Sequence, residues 1–350
     1  WSETLAMVSW HGGPAWLNQH LFKVEPRSDV DSNLLFHLLQ RSVAEMDKRS
    51  HGSTMKHIKR GELAEYEIVL PKDLDEQAAL AKVLDTLDTT IRQTEAIIEK
   101  LKQVKLGLLH DLLTRGIDAN GELRPPQSEV PHLYKASPLG WIPREWEVVK
   151  LSAMTAPDSP ITYGVVKPGP EVDGGIAFIR GGDIFGGRIL VEQLRTIGAD
   201  VSREYRRTLL RGGELLMSLV GYPGEVAVVP PSLAGANIAR QAALIRLQQH
   251  TNASYVMNYL SSAGGKMQVL ASSLGSAQQV VNLSDLRSVC VPLPTPAEQE
   301  EICVRLAATD AHLAREAEAL EKLRSLKSGL MDDLLTGRVR VTPLLEPQAT

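Results

Sequence analysis

Cysteine is nearly absent from this 350-residue chain, since Cys290 and Cys303 are the only two. Such a low count excludes a disulfide framework and a zinc site built from cysteines, and it fits a reducing compartment. No apolar run approaches the ~20 residues that a membrane-spanning helix needs, and no signal-peptide pattern is visible. We therefore expect a cytoplasmic protein.

A large excess of positive charge is also missing. The formal net charge is −4 and the isoelectric point is near 6.2. These values argue against a histone-like protein that binds nucleic acid through bulk charge alone. They still allow a local basic face.

The sequence lacks the motifs of the common catalytic centres. Gly264-Gly265-Lys266 has neither the upstream glycine nor the Ser/Thr of a phosphate-binding loop. No G-x-S-x-G or H-E-x-x-H appears, nor the Asn/Asp-Pro-Pro-aromatic tetrapeptide of an amino-methyltransferase. The nine histidines are scattered along the chain. The sequence thus predicts a chain with no catalytic residues, no metal site and no cofactor of its own.

What the chain does contain is a long internal repeat. Residues 70–114 read LPKDLDEQAALAKVLDTLDTTIRQTEAIIEKLKQVKLGLLHDLLT, and residues 293–336 read LPTPAEQEEICVRLAATDAHLAREAEALEKLRSLKSGLMDDLLT. The two copies stay in step, 222 positions apart, from Glu76 and Glu298 onward. A repeat of this length has to be interpreted before any single residue.

Apolar residues in both copies recur in alternating steps of four and three, the spacing of a coiled-coil seam. The seam positions are Leu80, Leu84, Leu87, Ile91, Thr94, Ile98, Leu101, Lys105, Leu108 and Leu112 in the first copy, and Ile302, Leu306, Thr309, Leu313, Glu316, Leu320, Leu323, Lys327, Leu330 and Leu334 in the second. The spacing predicts two long helices, over 76–113 and 298–335, packed antiparallel along their seams. The alternative is a generic amphipathic hairpin, which the duplication disfavours.

The repeat extends beyond the helices. Residues 51–71 match 274–294, and a helix expected from a cap at Asp31 to about Arg49 corresponds to one expected over 252–273. Residues 1–31 predict short strands and a turn, including strand-like LFKV at 21–24. The duplicated unit is therefore a globular domain followed by a long helix, with strands and glycine turns that indicate an α+β class.

Residues 138–294 offer chemistry suited to reading DNA. They contain 14 Lys+Arg, mostly arginine, against 12 Asp+Glu. Arginine can bind guanine or phosphate through two hydrogen bonds, and Asn or Gln can do the same for adenine. Candidate DNA contacts here are Arg180, Asp183, Arg188, Arg206, Arg207, Asn237, Arg240, Gln241, Ser276, Gln278 and Gln279, and in the first domain Asn18, Gln19, His20, Thr54, Lys56 and His57. For each residue taken singly, solvated surface is the alternative interpretation.

The pattern LP-x(2–4)-EQ, followed by a heptad helix ending G-L-[LM]-x-D-L-L-T and present twice, resembles the specificity (S) subunit of type I restriction–modification systems. The linker TRGIDANGELRPP…SPLGWIPREWEVVKL is similar to that family as well. The resemblance implies two target-recognition domains, each reading one half of a split sequence in double-stranded DNA. It also implies two antiparallel helices that hold these domains apart and dock two methyltransferase (M) subunits, to which restriction/translocase (R) subunits are added.

The resemblance and the repeat together divide the chain. We expect a partial first target-recognition domain at 1–71, a first spacer helix at 72–115 and a linker at 116–137. A second recognition domain follows at 138–294, a second spacer helix at 295–338 and a tail at 339–350. Since 138 to about 224 has no counterpart before 5, and the chain starts at Trp1, we expect an amino-terminal truncation.

Two other functions stay open. One is the equivalent subunit of a two-component restriction enzyme that cuts beside a split site. The other is a coiled-coil scaffold whose domains bind protein rather than DNA. DNA affinity that falls with salt separates the scaffold from the two DNA-binding alternatives.

Overall fold

A computed structural model describes residues 6–18, 21–49, 61, 67–192, 194–271 and 279–341. The chain forms two compact units, one of residues 1–101 with 312–350, here called unit 1, and one of residues 102–311, called unit 2. Two long helices contribute residues to both units. Within the described ranges, no helix combines the length and apolar character that crossing a membrane requires.

Strands predominate in unit 2, with a few short helices, and each long helix lies partly in each unit. The α-helices within the described ranges are α1 Ser32–Arg49, α2 Leu74–Thr114, α3 Ala199–Glu204, α4 Ala253–Ser261, α5 Ala263–Val269, α6 Leu283–Ser288 and α7 Pro296–Leu334. The strands are β1 Tyr134–Ser137, β2 Gly140–Pro143, β3 Glu147–Lys150, β4 Thr162–Tyr163, β5 Ile176–Ile179, β6 Ile184–Phe185, β7 Arg188–Ile189, β8 Arg195–Ile197, β9 Leu215–Ser218, β10 Val226–Val228, β11 Asn237–Ile238, β12 Ala242–Ile245 and β13 Cys290–Leu293. The α+β class is confirmed.

The core of unit 2 lies on both faces of an antiparallel sheet in the order β10-β9-β12-β4. Every residue of β9 and β12 is buried, as expected of central strands covered on two sides. Successive side chains of a strand point to opposite faces of the sheet. Leu215 and Met217 accordingly pack in one hydrophobic cluster with Tyr255 of α4. Leu216 packs in another cluster with Ile179 of β5. The sheet therefore joins the α4 layer to the strands that carry the candidate DNA contacts.

The two long helices run antiparallel in each unit, as predicted. In unit 2 Lys105 pairs with Asp310. In unit 1 Lys327 pairs with Asp88 at 2.6 Å. Lys327 is the repeat equivalent of Lys105, and Asp310 is the repeat equivalent of Asp88. The same lysine–aspartate contact is therefore made in each unit, with the lysine on α2 in unit 2 and on α7 in unit 1.

The repeated Gln of the EQ motif anchors a helix start in each unit. Buried Gln77 accepts a hydrogen bond from the Asp31 amide at 2.7 Å and donates to the Pro71 carbonyl at 2.8 Å. Buried Gln299 accepts from the Asn252 amide at 2.9 Å and donates to a proline carbonyl at 2.9 Å. Asp31 and Asn252 are the N-cap residues of α1 and α4. The glutamine thus ties each long helix to the domain before it.

The repeated Glu of the same motif accepts an arginine that follows the end of the other long helix. In unit 1 the Glu76 carboxylate accepts hydrogen bonds from Nε and Nη2 of Arg340, both at 2.6 Å. This hydrogen bonding lowers the pKa of Glu76. Glu298 takes Nη1 and Nη2 of Arg124 at 2.5 and 3.3 Å in unit 2. An equivalent Glu–Arg ion pair is therefore present in both copies of the repeat.

All the predicted seam positions lie buried or half-buried. Fully covered positions include Leu84 in unit 1 and Ile302 in unit 2. The two seam lysines are half-buried and reach aspartates on the facing helix. Their charge is therefore neutralised across the helix pair.

Two local predictions were wrong. Residues 21–24, expected as a strand, form none and expose Leu21 and Phe22. The single helix expected over 252–273 is two, because Ser262 has extended backbone and its Oγ accepts from the Gly265 amide at 3.2 Å, which starts α5 anew. By contrast, α1 ends at Arg49 as expected.

Candidate nucleic-acid interface

Five of the candidate DNA contacts of unit 2 lie at one end of the three-stranded sheet β11-β5-β8: Arg180, Asp183, Arg188, Arg240 and Gln241. Strand β11 is parallel to β5, with Ile238 opposite Ile179, so both chains leave the sheet at the same edge. Arg180 follows β5, and Arg240 follows β11. We call this end, together with the loops that contact it, the carboxyl edge.

The turn after β5 fixes Arg180 through Asp183. The Asp183 carboxylate accepts hydrogen bonds from the Arg180 amide at 2.7 Å, from its Nε at 3.1 Å and from its Nη2 at 2.8 Å. This hydrogen bonding raises the pKa of Arg180. Asp183 is only 7% exposed, so its expected contact with a base is corrected to a role in shaping the turn.

A short hairpin follows that turn and presents Arg188. Strands β6 and β7 are joined by Gly186 and Gly187, whose φ values of 60° and 77° suit glycine. Arg188 lies opposite Phe185 in this hairpin and is exposed. Among the described residues, none pairs with its guanidinium.

The loop from Leu219 to Gly224 and the residue Gln241 complete the carboxyl edge. The Leu219 amide donates to the Gln241 carbonyl at 2.8 Å, and the Leu219 carbonyl accepts from Val281 at 3.1 Å. The loop therefore lies between Gln241 and the segment that carries exposed Gln279. A Cβ on Gly181 would lie 2.2 Å from the Val220 carbonyl, so these loops meet backbone to backbone.

Asn237, Arg206 and Arg207 do not belong to this edge. Asn237 is 0% exposed, and its Nδ2 lies 3.4 Å from the Tyr205 carbonyl, so its expected contact with a base is corrected to a buried position in β11. Arg206 and Arg207 are exposed but precede Leu210, whose amide bonds Ala236 just before β11 begins. They lie toward the other end of that strand.

The arginines of unit 2 differ in whether the fold engages their side chains. Arginines paired with a carboxylate within 4 Å, including Arg124, Arg180, Arg195 and Arg246, hold the fold together. In the part of the chain that the structure describes, no hydrogen bond or ion pair engages the side chains of Arg188, Arg203, Arg206, Arg207, Arg211 and Arg240. Two of these, Arg188 and Arg240, stand at the carboxyl edge.

The remaining candidates are placed less completely. Asn18 is exposed in unit 1, with its carbonyl accepting from the Leu21 amide at 3.0 Å. Gln19, His20, Thr54, Lys56, His57, Ser276 and Gln278 lie outside the described residues. The described ranges contain no group of three or more His, Cys, Asp or Glu arranged to hold a metal ion.

Sequence reasoning missed an aromatic pair at the carboxyl edge. Phe185 and Tyr222 have ring centroids 4.9 Å apart and are 52% and 49% exposed. Their neighbour Glu225 accepts from the Gly186 amide at 2.9 Å and from Lys266 at 2.8 Å. Burial opposes ionisation of Glu225, but these two bonds outweigh it and lower its pKa. The adjacent glycines were the only sequence signal for this site.

Comparisons with known proteins agree with this architecture. The model of the family described as type I restriction modification DNA specificity domain matches residues 1–103 and 161–325. The chain is 28% identical over 319 residues to the EcoBI type I specificity subunit of Escherichia coli, covering 89% of this chain and 65% of that protein. It is 23% identical over 353 residues to the MjaVIII type I specificity subunit of Methanocaldococcus jannaschii, covering 98% of this chain and 79% of that protein.

Two solved structures share the fold. One comes from a study of complex assembly and conformational transition in the type I R-M system, with a TM-score of 0.53 at 18% identity, over 88% of this chain and 72% of that one. The other is the S subunit of a type I restriction–modification system from M. genitalium, with a TM-score of 0.52 at 15% identity, over 88% of this chain and 73% of that one.

Proposed function

The chain belongs to the type I restriction modification DNA specificity family, and on that premise we propose that it is a DNA-binding specificity subunit that reads a bipartite target. In this proposal unit 2 reads one half of the target, and the chain supplies no catalysis. It acts in the cytoplasm by bringing two methyltransferase subunits, and restriction/translocase subunits with them, to the DNA.

The carboxyl edge carries this proposal. Arg188 and Arg240 are exposed there, beside Gln241 and Gln279, and no carboxylate of the described residues pairs with either arginine. Arginine suits guanine or phosphate and glutamine suits adenine, so the edge holds donors and acceptors for both kinds of base pair. The glycines of the adjoining turns let backbone approach a groove closely. Both guanidinium groups are available to a ligand, unlike those of Arg195 and Arg246, which pair with Glu171 and Glu214.

The long helices support the other half of the proposal. Each is about 60 Å long at ~1.5 Å per residue, and we propose that residues 72–115 and 295–338 set the spacing between the two half-sites. Apolar side chains remain exposed outside the seam, at Ile97, Val104 and Leu106 of α2 and Val304 and Leu326 of α7. Such side chains on a helix surface suit docking of the methyltransferase subunits.

Salt-dependent DNA binding tests the proposal. Binding of labelled duplexes of random sequence is measured by fluorescence anisotropy at several salt concentrations, for the wild-type chain, the double variant R188A/R240A and the control R203A. Arg203 is also exposed and has no ion pair among the described residues, but it lies on α3, away from the carboxyl edge.

We expect affinity to fall with salt, and the double variant to reduce the slope by about one unit for each phosphate contact removed. Arg203→Ala should bind like wild type. A protein scaffold would show no salt-dependent binding, and equal losses in both variants would assign the affinity to bulk charge rather than to the carboxyl edge.

The purified chain should transfer no methyl group to DNA by itself. Radiolabelled methyl transfer is measured with and without a methyltransferase subunit from the same source. Incorporation only in the mixture supports the proposal, and incorporation by the chain alone contradicts it.

A further inference from the structure

We propose that Phe185 and Tyr222 form an aromatic wedge that inserts at a base-pair step and stacks on an unstacked base, so that the chain reads the deformability of its target. The inference rests on the proposed DNA-binding function and deepens it. It assigns a role to two residues that hydrogen-bond chemistry does not single out.

The β6–β7 hairpin points Phe185 outward. Phe185 and Arg188 are cross-strand partners, and so are Ile184 and Ile189. Since side chains alternate between the faces of a strand, the buried isoleucine pair holds the hairpin to the core while Phe185 and Arg188 share the outer face. The ring and the free guanidinium therefore face the same ligand.

The loop from Leu219 to Gly224 brings Tyr222 to the same place. Gly221 has a φ of 103°, and a Cβ there would lie 3.3 Å from the Gly182 amide. The loop consequently lies directly against the turn after β5, and the Tyr222 ring packs on Phe185 at an interplanar angle of 52°. Two rings from distant parts of the sequence thus form one projecting apolar group.

The tip of the hairpin is fastened to this loop. The Gly186 amide donates to Glu225, and the same carboxylate takes Lys266 from α5. These bonds cross from the hairpin to the residue that follows the loop. A fastened tip loses little conformational freedom on binding, which favours insertion.

Charge at the carboxyl edge selects DNA over a protein groove as the ligand of the rings. Two acids that contact the turn and the hairpin are already neutralised, Asp183 by Arg180 and Glu225 by Lys266. Arg188 and Arg240 carry the unneutralised charge. An apolar wedge flanked by free cations matches a base step flanked by phosphates, and aromatic rings stack on any base because every base has a π-face.

Fluorescence of 2-aminopurine tests the wedge. The duplex is one that the wild-type chain enriches from a random-sequence library, with 2-aminopurine placed singly along the half-site bound by unit 2. The full chain is compared with F185A, Y222A, the ring-preserving Y222F, and the control W141A. Trp141 is an exposed aromatic on β2, away from the carboxyl edge.

We expect one position to brighten on binding as its base unstacks. Phe185→Ala and Tyr222→Ala should abolish that signal and weaken binding by roughly 5- to 100-fold, with no change in salt slope because neither ring touches a phosphate. Tyr222→Phe and Trp141→Ala should behave like wild type.

If the 2-aminopurine signal persists in both alanine variants, the wedge is wrong. DNA binding by Arg188→Ala, measured in the same way, then shows whether the proposed DNA-binding function still holds. Loss of methyltransferase assembly with unchanged DNA binding also overturns the wedge, and assigns the rings to a protein contact instead. Absence of any salt-dependent DNA binding by the wild-type chain refutes the proposed function itself.

Discussion

Replacement of Glu298 by alanine should be one of the most destabilising single changes in unit 2. The Glu298 carboxylate accepts from Arg124 at 2.5 and 3.3 Å, from the Ile117 amide at 2.8 Å and from the Trp146 indole at 3.0 Å. It thereby fastens the chain between α2 and β3 to the start of α7. Its side chain and that of Arg124 are each 8% exposed.

The cost follows from the groups left behind. Removing one partner of a buried ion pair typically costs about 3–5 kcal/mol, because the remaining charge is desolvated and unpaired. Arg124 would keep a 3.1 Å contact with Glu145, which is 73% exposed. We therefore expect the lower end of that range, about 3 kcal/mol. Replacement of Glu145 should cost less than about 1 kcal/mol.

Urea titration followed by circular dichroism measures the loss for each variant. Hydrogen exchange of peptides covering residues 116–146 locates it. A loss below about 1 kcal/mol for Glu298→Ala, or an equal loss for Glu145→Ala, would refute the account of this buried contact.

Two further predictions concern unit 1 and the hairpin of unit 2. Leu84→Ala should cost about 2–5 kcal/mol in thermal or urea unfolding because Leu84 is fully buried, whereas exposed Ile97→Ala should stay within ~0.5 kcal/mol; equal effects would contradict the seam. The folded pKa of Glu225 is lowered from the ordinary value of 4.5, so its bond to the Gly186 amide is complete above that unfolded value and is lost as pH falls through the folded pKa. The NMR shift of that amide should titrate with a midpoint below the ordinary glutamate value and not at all in Glu225→Gln; a midpoint above the ordinary value would contradict the assignment.

The long helices could be predicted because their signal is local and repeated. Apolar residues in alternating steps of four and three identify one face of a helix, and the second copy of the repeat identifies the helix that packs against it. Antiparallel pairing then followed from the equivalence of the copies. The reciprocal pairs of Lys105 with Asp310 and Lys327 with Asp88 needed the structure, since the spacing names the face but not the atoms that meet.

The sequence could predict which residue types belong to the candidate interface, but not which of their side chains are free to contact a ligand. Arginines and glutamines near glycine turns were identified, yet sequence does not show which are consumed by the fold. Asp183 forms an ion pair with Arg180, three residues away, and the side chain of Asn237 is buried in β11. The pairing of Phe185 with Tyr222 spans loops far apart in sequence, which no local pattern reports.

Enrichment of bound duplexes from a random-sequence library, sequenced after several rounds, tests the central claim most directly. The account predicts that the wild-type chain enriches defined bases over at least one half-site, and that the double variant R188A/R240A loses preference there while the control R203A retains it. An unbiased base composition for the wild-type chain, or the same preference in all three proteins, would contradict the assignment of base reading to the carboxyl edge.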